Sequence, residues 1–454
     1  MTCNLLNENW IPVLWVDGKV SRIGIWEALT QAQHIRQIAA SNPMDRFALI
    51  RFLLAILYWC QGNPPKKTPL KRFPPDYLQK LLDNKNYFCL LGNGKRFFQD
   101  HGAKRCQAVT NLIQEIPSGN NFWHFRHSTD NESGLCLACC AIGLLRLPLY
   151  STSGLSGPGE PNMMAGINGV PPIYALPWGR SLFEILLINW VSHQNIGEPS
   201  WVLTDFHNES NEVIPLLKGL TLPSRRVLLH DPTEKPAICI NCGYTGGPIV
   251  LTCEYQTAGK QESENWNDPH VFYLSKGKKR ISMRAKDLTK PNLFKMDRPW
   301  VDLYERLAER GNSDTWFVVG FATDKAKNID VWERLLALPA KQKNSSSISQ
   351  WNEISKNLED NLKSIVLGKR KQKGNDAKLA VSFASSIRPQ VEHLVSMKAD
   401  KLICGGEKSL KHATGEYKPM LNVIVESLAP GYTTEALDRR RKLNTAIPDV
   451  GKTS

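Results

Sequence analysis

Apolar and polar positions alternate at the start of the chain. In NLLNENWIPVLWVDGKVSRIGIWEAL the alternation around Trp10-Ile11-Pro12-Val13 and the turn pair Asp17-Gly18 predict two short strands joined as a hairpin. The apolar run FALIRFLLAILYWC (47–60) predicts a buried helix. It is too short to span a bilayer and is interrupted by Arg51. SLFEILLINWV (181–191) predicts a second, shorter helix, and the turn-rich text of 239–285 predicts strands. After Trp332 the period changes. Ile348, Trp351, Ile354, Leu358, Leu362 and Ile365 fall at helical spacing, followed by stripes through Phe383, Ile387, Val391 and Leu394 and through Leu421, Ile424, Val425 and Leu428. Several amphipathic helices with short basic links predict a C-terminal bundle. The expected architecture is α+β, with a large mixed N-terminal domain over 1–330 and a helical bundle over 331–454.

Glycine and proline crowd SGLSGPGEPNMMAGINGVPP (153–172), which predicts a long surface loop or several turns. The 454 residues exceed one ordinary domain, and an apolar fraction of 42% supplies genuine cores. Fifty-seven Lys and Arg against 43 Asp and Glu leave a net charge of +14. Excess positive charge favours polyanionic partners through counterion release, and with 13 Trp it points to nucleic acid. The N-terminal text MTCNLLNENW lacks a basic region followed by an apolar one, so no secretory signal is expected. Eleven irregularly spaced cysteines then suit a reducing compartment, and a cytoplasmic protein with no membrane partner is expected.

Two of the cysteines, Cys136 and Cys139, stand at C-x-x-C spacing in GLCLACCAIGLL, where sulfur could equally fill a core. A second pair, Cys239 and Cys242, lies in AICINCGYTGG and is followed at once by Gly243, the form of a zinc knuckle. Together the pairs make a four-thiolate structural Zn2+ site if the fold joins them; otherwise they are unrelated and one is buried packing. Cys140 is expected to pack. His124 and His127 stand at H-x-x-H but lack a third ligand and a general base.

Several stretches resemble the CasA family, the large subunits of the type I-E CRISPR surveillance complex Cascade. They are NLLNENWIPV, FRHSTDNESGLCLACCAIGLL, the glycine-rich run 153–169, CINCG, WNDPHV (266–271) and GFATDKAKNIDVWERL (320–335), in family order. The resemblance implies a subunit that reads a short protospacer-adjacent motif on duplex DNA and helps open the duplex for a guide RNA. Gly154, Gly157 and Gly159 would form the motif-reading glycine loop, where bare backbone can enter a narrow groove. Thr323, Asp324, Lys325 and Ala326 would form a wedge at the duplex fork, with Lys325 where some relatives carry glutamine. Lys260 would be a minor-groove lysine. Phe125, Arg126 and His127 would sit in a loop touching the guide RNA and neighbouring subunits. The implied partners are guide crRNA, the other Cascade subunits, double-stranded target DNA and a helicase-nuclease effector.

Without that resemblance the same features read as surface turns, a helix N-terminus with a solvated lysine, and solvated basic faces. Two further function classes stay open on the residues alone. One is a zinc-dependent nuclease or other nucleic-acid hydrolase. Against it, the chain carries no H-E-x-x-H and no Walker-type loop, and SGLSGPG lacks the strand and helix of a nucleophile elbow. The other is a zinc-containing scaffold that binds RNA or protein. The non-enzymatic reading is the expected one.

Overall fold

The computed structural model describes residues 3–65, 70–116, 134–152, 154–155, 162–163, 167–203, 213–233, 237–257, 266–276, 279–285, 315–324 and 327–337, with Thr434, Leu437, Asp438 and Arg441. Two compact units divide the chain: Met1–Lys286 with Phe317–Arg334, and Asp287–Trp316 with Leu335–Ser454. The expected C-terminal bundle lies almost wholly outside the described residues. Thr434, Leu437, Asp438 and Arg441 carry helical backbone.

The first unit opens with β1 (Cys3–Asn4), followed by the predicted hairpin of β2 (Ile11–Trp15) and β3 (Val20–Ile23). Its turn is made at Gly18, whose φ of +90° suits glycine. Helix α1 (Ile25–Thr30) leads to β4 (Ile35–Ile38), which pairs antiparallel on the other edge of β2. The run 47–60 lies in α2 (Pro43–Gln61), started by Pro43 in the first turn and by the Asn42 side chain accepting from the Met44 amide. This helix is apolar all round because it is buried all round. Helix α3 (Gln79–Asp83) and strands β5 (Cys89–Leu91) and β6 (Cys106–Ala108) follow.

The short strand β7 (Leu135–Cys136) runs directly into α4 (Leu137–Tyr150), which packs along α2. Beyond α4 come β8 (Gly154–Leu155) and β9 (Asn162–Met163), an antiparallel ribbon pairing Gly154 with Met163 and Leu155 with Asn162. Strand β10 (Ile173–Pro177) and helix α5 (Leu182–Asn189) follow, the latter capped by Ser181, whose side chain accepts from the Glu184 amide. After α6 (Leu216–Thr221), β11 (Arg225–Leu229) enters a sheet of order β11-β13-β6; its middle strand β13 (Thr252–Thr257) follows β12 (Ile249–Val250). Strands β14 (Tyr273–Lys276) and β15 (Lys279–Ser282) form a hairpin.

Two long strands, β16 (Thr315–Asp324) and β17 (Lys327–Ala337), complete a sheet of order β10-β16-β17. Residues 331–337 are thus strand, although their text ERLLA favours helix and placed them in the expected bundle. Cross-strand pairing overrides weak local propensity here. No helix among the described residues is long and apolar enough to cross a membrane.

Candidate metal centre and flanking loops

The two cysteine pairs meet. Strand β12 pairs antiparallel with β7, setting Ile249 opposite Cys136, and Gly134 bridges to Cys239 in parallel. The Ile240 amide donates to the Gly134 carbonyl at 3.0 Å. The second pair sits on a tight turn in which the Gly243 amide donates to the Cys239 carbonyl at 2.8 Å and the Cys239 amide to the Tyr244 carbonyl at 2.9 Å. Gly243 has a φ of +71°, so the glycine of the motif serves the turn. All four Sγ atoms of Cys136, Cys139, Cys239 and Cys242 lie within 4.8 Å of one another, an arrangement able to hold a metal ion. Three of these cysteines are buried and Cys242 is exposed. The alternative of two unrelated pairs is set aside by this geometry.

Hydrogen bonding within the cluster already favours a thiolate. Cys239, accepting from Cys136 and Cys139, is held far below the usual thiol range. Cys139 is driven upward by its hydrogen bonds to Cys136 and then Cys239, with burial adding to them. At Cys136 the bond from Cys139 favours the thiolate, but the bond to Cys239 and burial prevail and push it up to about 12. Asn241 Nδ2 donates to Cys139 Sγ at 3.3 Å. Partial burial opposes the charge of Arg22 on β3. Its hydrogen bond to Cys242, and the charges of Cys242, Cys136 and Cys139, nevertheless keep it above its usual range. Cys140 is wholly buried and turns its Sγ toward the Leu135 carbonyl, so it packs as expected.

Helix α4 begins at this cluster and ends at the glycine-rich segment. Midway, Arg146 is fully buried and pairs with Asp45 of α2 at 3.2 Å and, more closely, with Glu115. Glu115 also accepts from the Asn42 side chain. A second buried arginine, Arg51 of α2, reaches Asp268 at 2.8 Å, with His270 Nδ1 at 3.0 Å. Asp268 belongs to the WNDPHV segment. Burial would raise its carboxyl, but the Arg51 charge and hydrogen bond hold it down at about 2. These networks were not anticipated as units. Their signal was a charged residue inside an apolar helix, as with Arg51 in FALIRFLLAILYWC and Arg146 in AIGLLRLPLY, since a buried charge needs a partner.

Of the expected glycine loop, Gly154 lies in β8, while Gly157 and Gly159 lie outside the described residues. So do Lys260, Lys325, Ala326 and the whole of Phe125, Arg126 and His127. Asp324 ends β16 and Lys327 begins β17. Thr323 is buried within β16 at 3% exposure, which corrects its assignment to an accessible tip. Within the first unit the strand pair is fastened to α2 through Arg46, which bonds Glu333 at 2.7 Å and lies 5.5 Å over the Phe317 ring. Tyr150, the last residue of α4, stacks edge-on against Phe321 of β16.

Comparison with known proteins bears on this arrangement. The family described as CRISPR-associated protein Cse1 matches residues 4–402. The chain belongs to the CRISPR-associated Cse1 family. A CRISPR-associated protein CasA/Cse1 of Thermus thermophilus is 30% identical over 208 residues, covering 42% of this chain and 40% of that relative. The crystal structure of CasA from Thermus thermophilus shares the fold at a TM-score of 0.75 and 20% identity, covering 98% of this chain and 99% of that one. A chain of a CRISPR RNA-guided surveillance complex shares it at a TM-score of 0.68 and 15% identity, covering 98% and 99%. The Cse1 fold is therefore spread over nearly the whole chain.

Proposed function

We propose that this Cse1-family chain is the non-enzymatic large subunit of an RNA-guided surveillance complex, bound to guide crRNA and the other Cascade subunits. In that role it reads the protospacer-adjacent motif on duplex DNA, helps part the strands and offers a docking face to a helicase-nuclease. Guide pairing supplies sequence specificity, and the protein supplies motif reading and phosphate contacts. The observation that carries the reading is the family match over residues 4–402.

The chemistry of the parts supports these roles. Gly154 in β8, with Gly157 and Gly159 following in sequence, offers backbone amides without side-chain bulk, as reading in a narrow groove requires. Lys260 adds a cation for the minor groove, and Phe125, Arg126 and His127 combine stacking with charge for the guide RNA. Asp324, at the end of β16, with Lys325 and Ala326 next in sequence, suits a wedge at the fork.

The four cysteines fit structural zinc. Zn–S bonds of about 2.3 Å give tetrahedral sulfur–sulfur edges of about 3.8 Å. Cys136 and Cys242 Sγ lie 3.7 Å apart. When bound, zinc would crosslink the two knuckles through four thiolates and leave no open position for a reactive water.

Binding of target DNA by the assembled complex tests the proposal. Duplex binding should be salt-sensitive, depend on a short flanking motif, and fall in Gly157→Asp and Lys325→Ala, with single-stranded target binding retained. Unchanged duplex binding in both variants would overturn the assigned sites, and metal-dependent nuclease activity of the purified chain would overturn the non-enzymatic role.

A further inference from the structure

Both ends of the glycine-bearing ribbon are sewn to the last turn of α4. On the incoming side, the Ser151 and Ser224 hydroxyls converge on the Leu147 carbonyl, each at 2.6 Å. Arg225, 1% exposed, donates from Nη2 to the Thr152 carbonyl at 2.8 Å and from Nη1 to the Ser224 carbonyl at 2.8 Å. On the outgoing side, the Ile167 amide donates to the Pro148 carbonyl at 3.1 Å. Asn168 Nδ2 then donates to Asp268 Oδ2 at 2.8 Å and to Tyr174 Oη at 3.2 Å, while the Tyr174 hydroxyl donates to the Leu149 carbonyl at 3.3 Å. Three successive carbonyls at the C-terminal end of α4, which have no helical partner of their own, are thus satisfied by groups leading into and out of the ribbon.

Glycine-rich chain loses much conformational entropy when it is ordered, so such a ribbon holds one pose only if its ends are fixed. Buried charge-assisted hydrogen bonds are suited to that task because leaving either partner unpaired is costly. Asp268 is a firm anchor: it is fully buried, ionised and bonded to Arg51, whose own helix α2 packs along α4.

We propose that Asn168 and Arg225 are positioning residues that set the pose of the glycine-bearing ribbon, Asn168 through the buried Asp268–Arg51 pair and Arg225 through the Thr152 carbonyl. The proposal deepens the motif-reading role proposed above and rests on it. Neither residue need touch DNA. They would act by presenting the ribbon in one orientation, so their loss should degrade discrimination between flanking motifs before it degrades binding in general.

The test uses the assembled complex carrying Asn168→Ala, a half-buried position whose truncation removes two hydrogen bonds and leaves the Asp268–Arg51 pair in place. Discrimination between duplexes with matched and mismatched flanking motifs should fall about tenfold, the effect of losing a hydrogen bond to a charged acceptor. Single-stranded target binding and complex assembly should be unchanged. Asn168→Gln, which keeps the amide, should recover part of the discrimination. Amide hydrogen exchange at Leu155 and Met163 should speed up in Asn168→Ala while exchange within α4 stays the same. If Gly157→Asp abolishes discrimination and Asn168→Ala leaves both discrimination and exchange unaltered, the positioning role is overturned and the reading of the ribbon survives. Equal losses of single-stranded and duplex binding in Asn168→Ala would also overturn it, as a merely structural residue behaves that way. If Gly157→Asp has no effect on discrimination, the motif-reading role falls and the positioning role falls with it.

Discussion

Arg51 Nη1 lies 2.8 Å from Asp268 Oδ1, and both side chains are withdrawn from water. The pair joins the middle of α2 to the WNDPHV segment 217 residues later in sequence. Arg51→Met would strand the carboxylate in the core and should cost about 3–5 kcal/mol of unfolding free energy. Asp268 is held at about 2, below the about 3.9 of an unfolded aspartate. Its contribution is therefore full above pH 4 and is lost as pH falls through about 2, amounting to about 2–3 kcal/mol. Urea unfolding of wild type, Arg51→Met and Asp268→Asn as a function of pH would measure both effects.

Asp45 behaves in the opposite sense. Burial, opposed by the Arg146 charge and reinforced by Glu115, raises its carboxyl to about 6. A raised carboxyl favours the folded state when protonated, so this contribution is complete below about pH 4 and disappears as pH rises through about 6. Acidification from pH 7 to pH 4.5 should thus stabilise the fold through this group by about 2–3 kcal/mol, and Asp45→Asn should lack that component. Comparing the pH dependence of the two urea midpoints isolates it.

Gly134 lies two residues before Cys136, and a Cβ there would lie 2.3 Å from Ile249 Cγ2 and 2.5 Å from the Val250 carbonyl oxygen. The β7–β12 pairing cannot give way without shifting Cys136. Gly134→Ala should therefore destabilise the protein by about 1–3 kcal/mol or more. Differential scanning calorimetry together with metal content would show whether stability and metal retention fall together.

Purified protein should contain stoichiometric zinc by plasma mass spectrometry. Cys139→Ser and Cys239→Ser should abolish it, since loss of one thiolate opens the tetrahedron. Cys140→Ser should retain it, because that sulfur faces the Leu135 carbonyl outside the cluster. Chelation of the wild type should lower Tm, as structural zinc contributes folding free energy directly. Full zinc content in Cys139→Ser would refute the site.

Local patterns were legible where short-range physics decides the outcome. The hairpin at Asp17-Gly18, the helix containing Arg51 and the short helix of SLFEILLINWV all follow from a few neighbouring residues. The cysteine pairs were legible as chemistry, but their meeting depends on β7 and β12, strands of two residues each whose text says nothing of pairing. The strand β17 was obscured because Glu333, Arg334 and Leu335 favour helix locally and become strand only against β16. Arg51 announced that a partner must exist, while nothing near it in sequence could name Asp268.

Helix α4 carries Cys139 of the cysteine cluster in its first turn and the carbonyl socket of the ribbon in its last. Its 14 residues span about 21 Å at 1.5 Å per residue. Inserting or deleting a single residue would turn one end against the other by about 100° and displace it along the axis. The helix admits no such change, because it sets both the distance and the angle from the cysteine cluster to the ribbon.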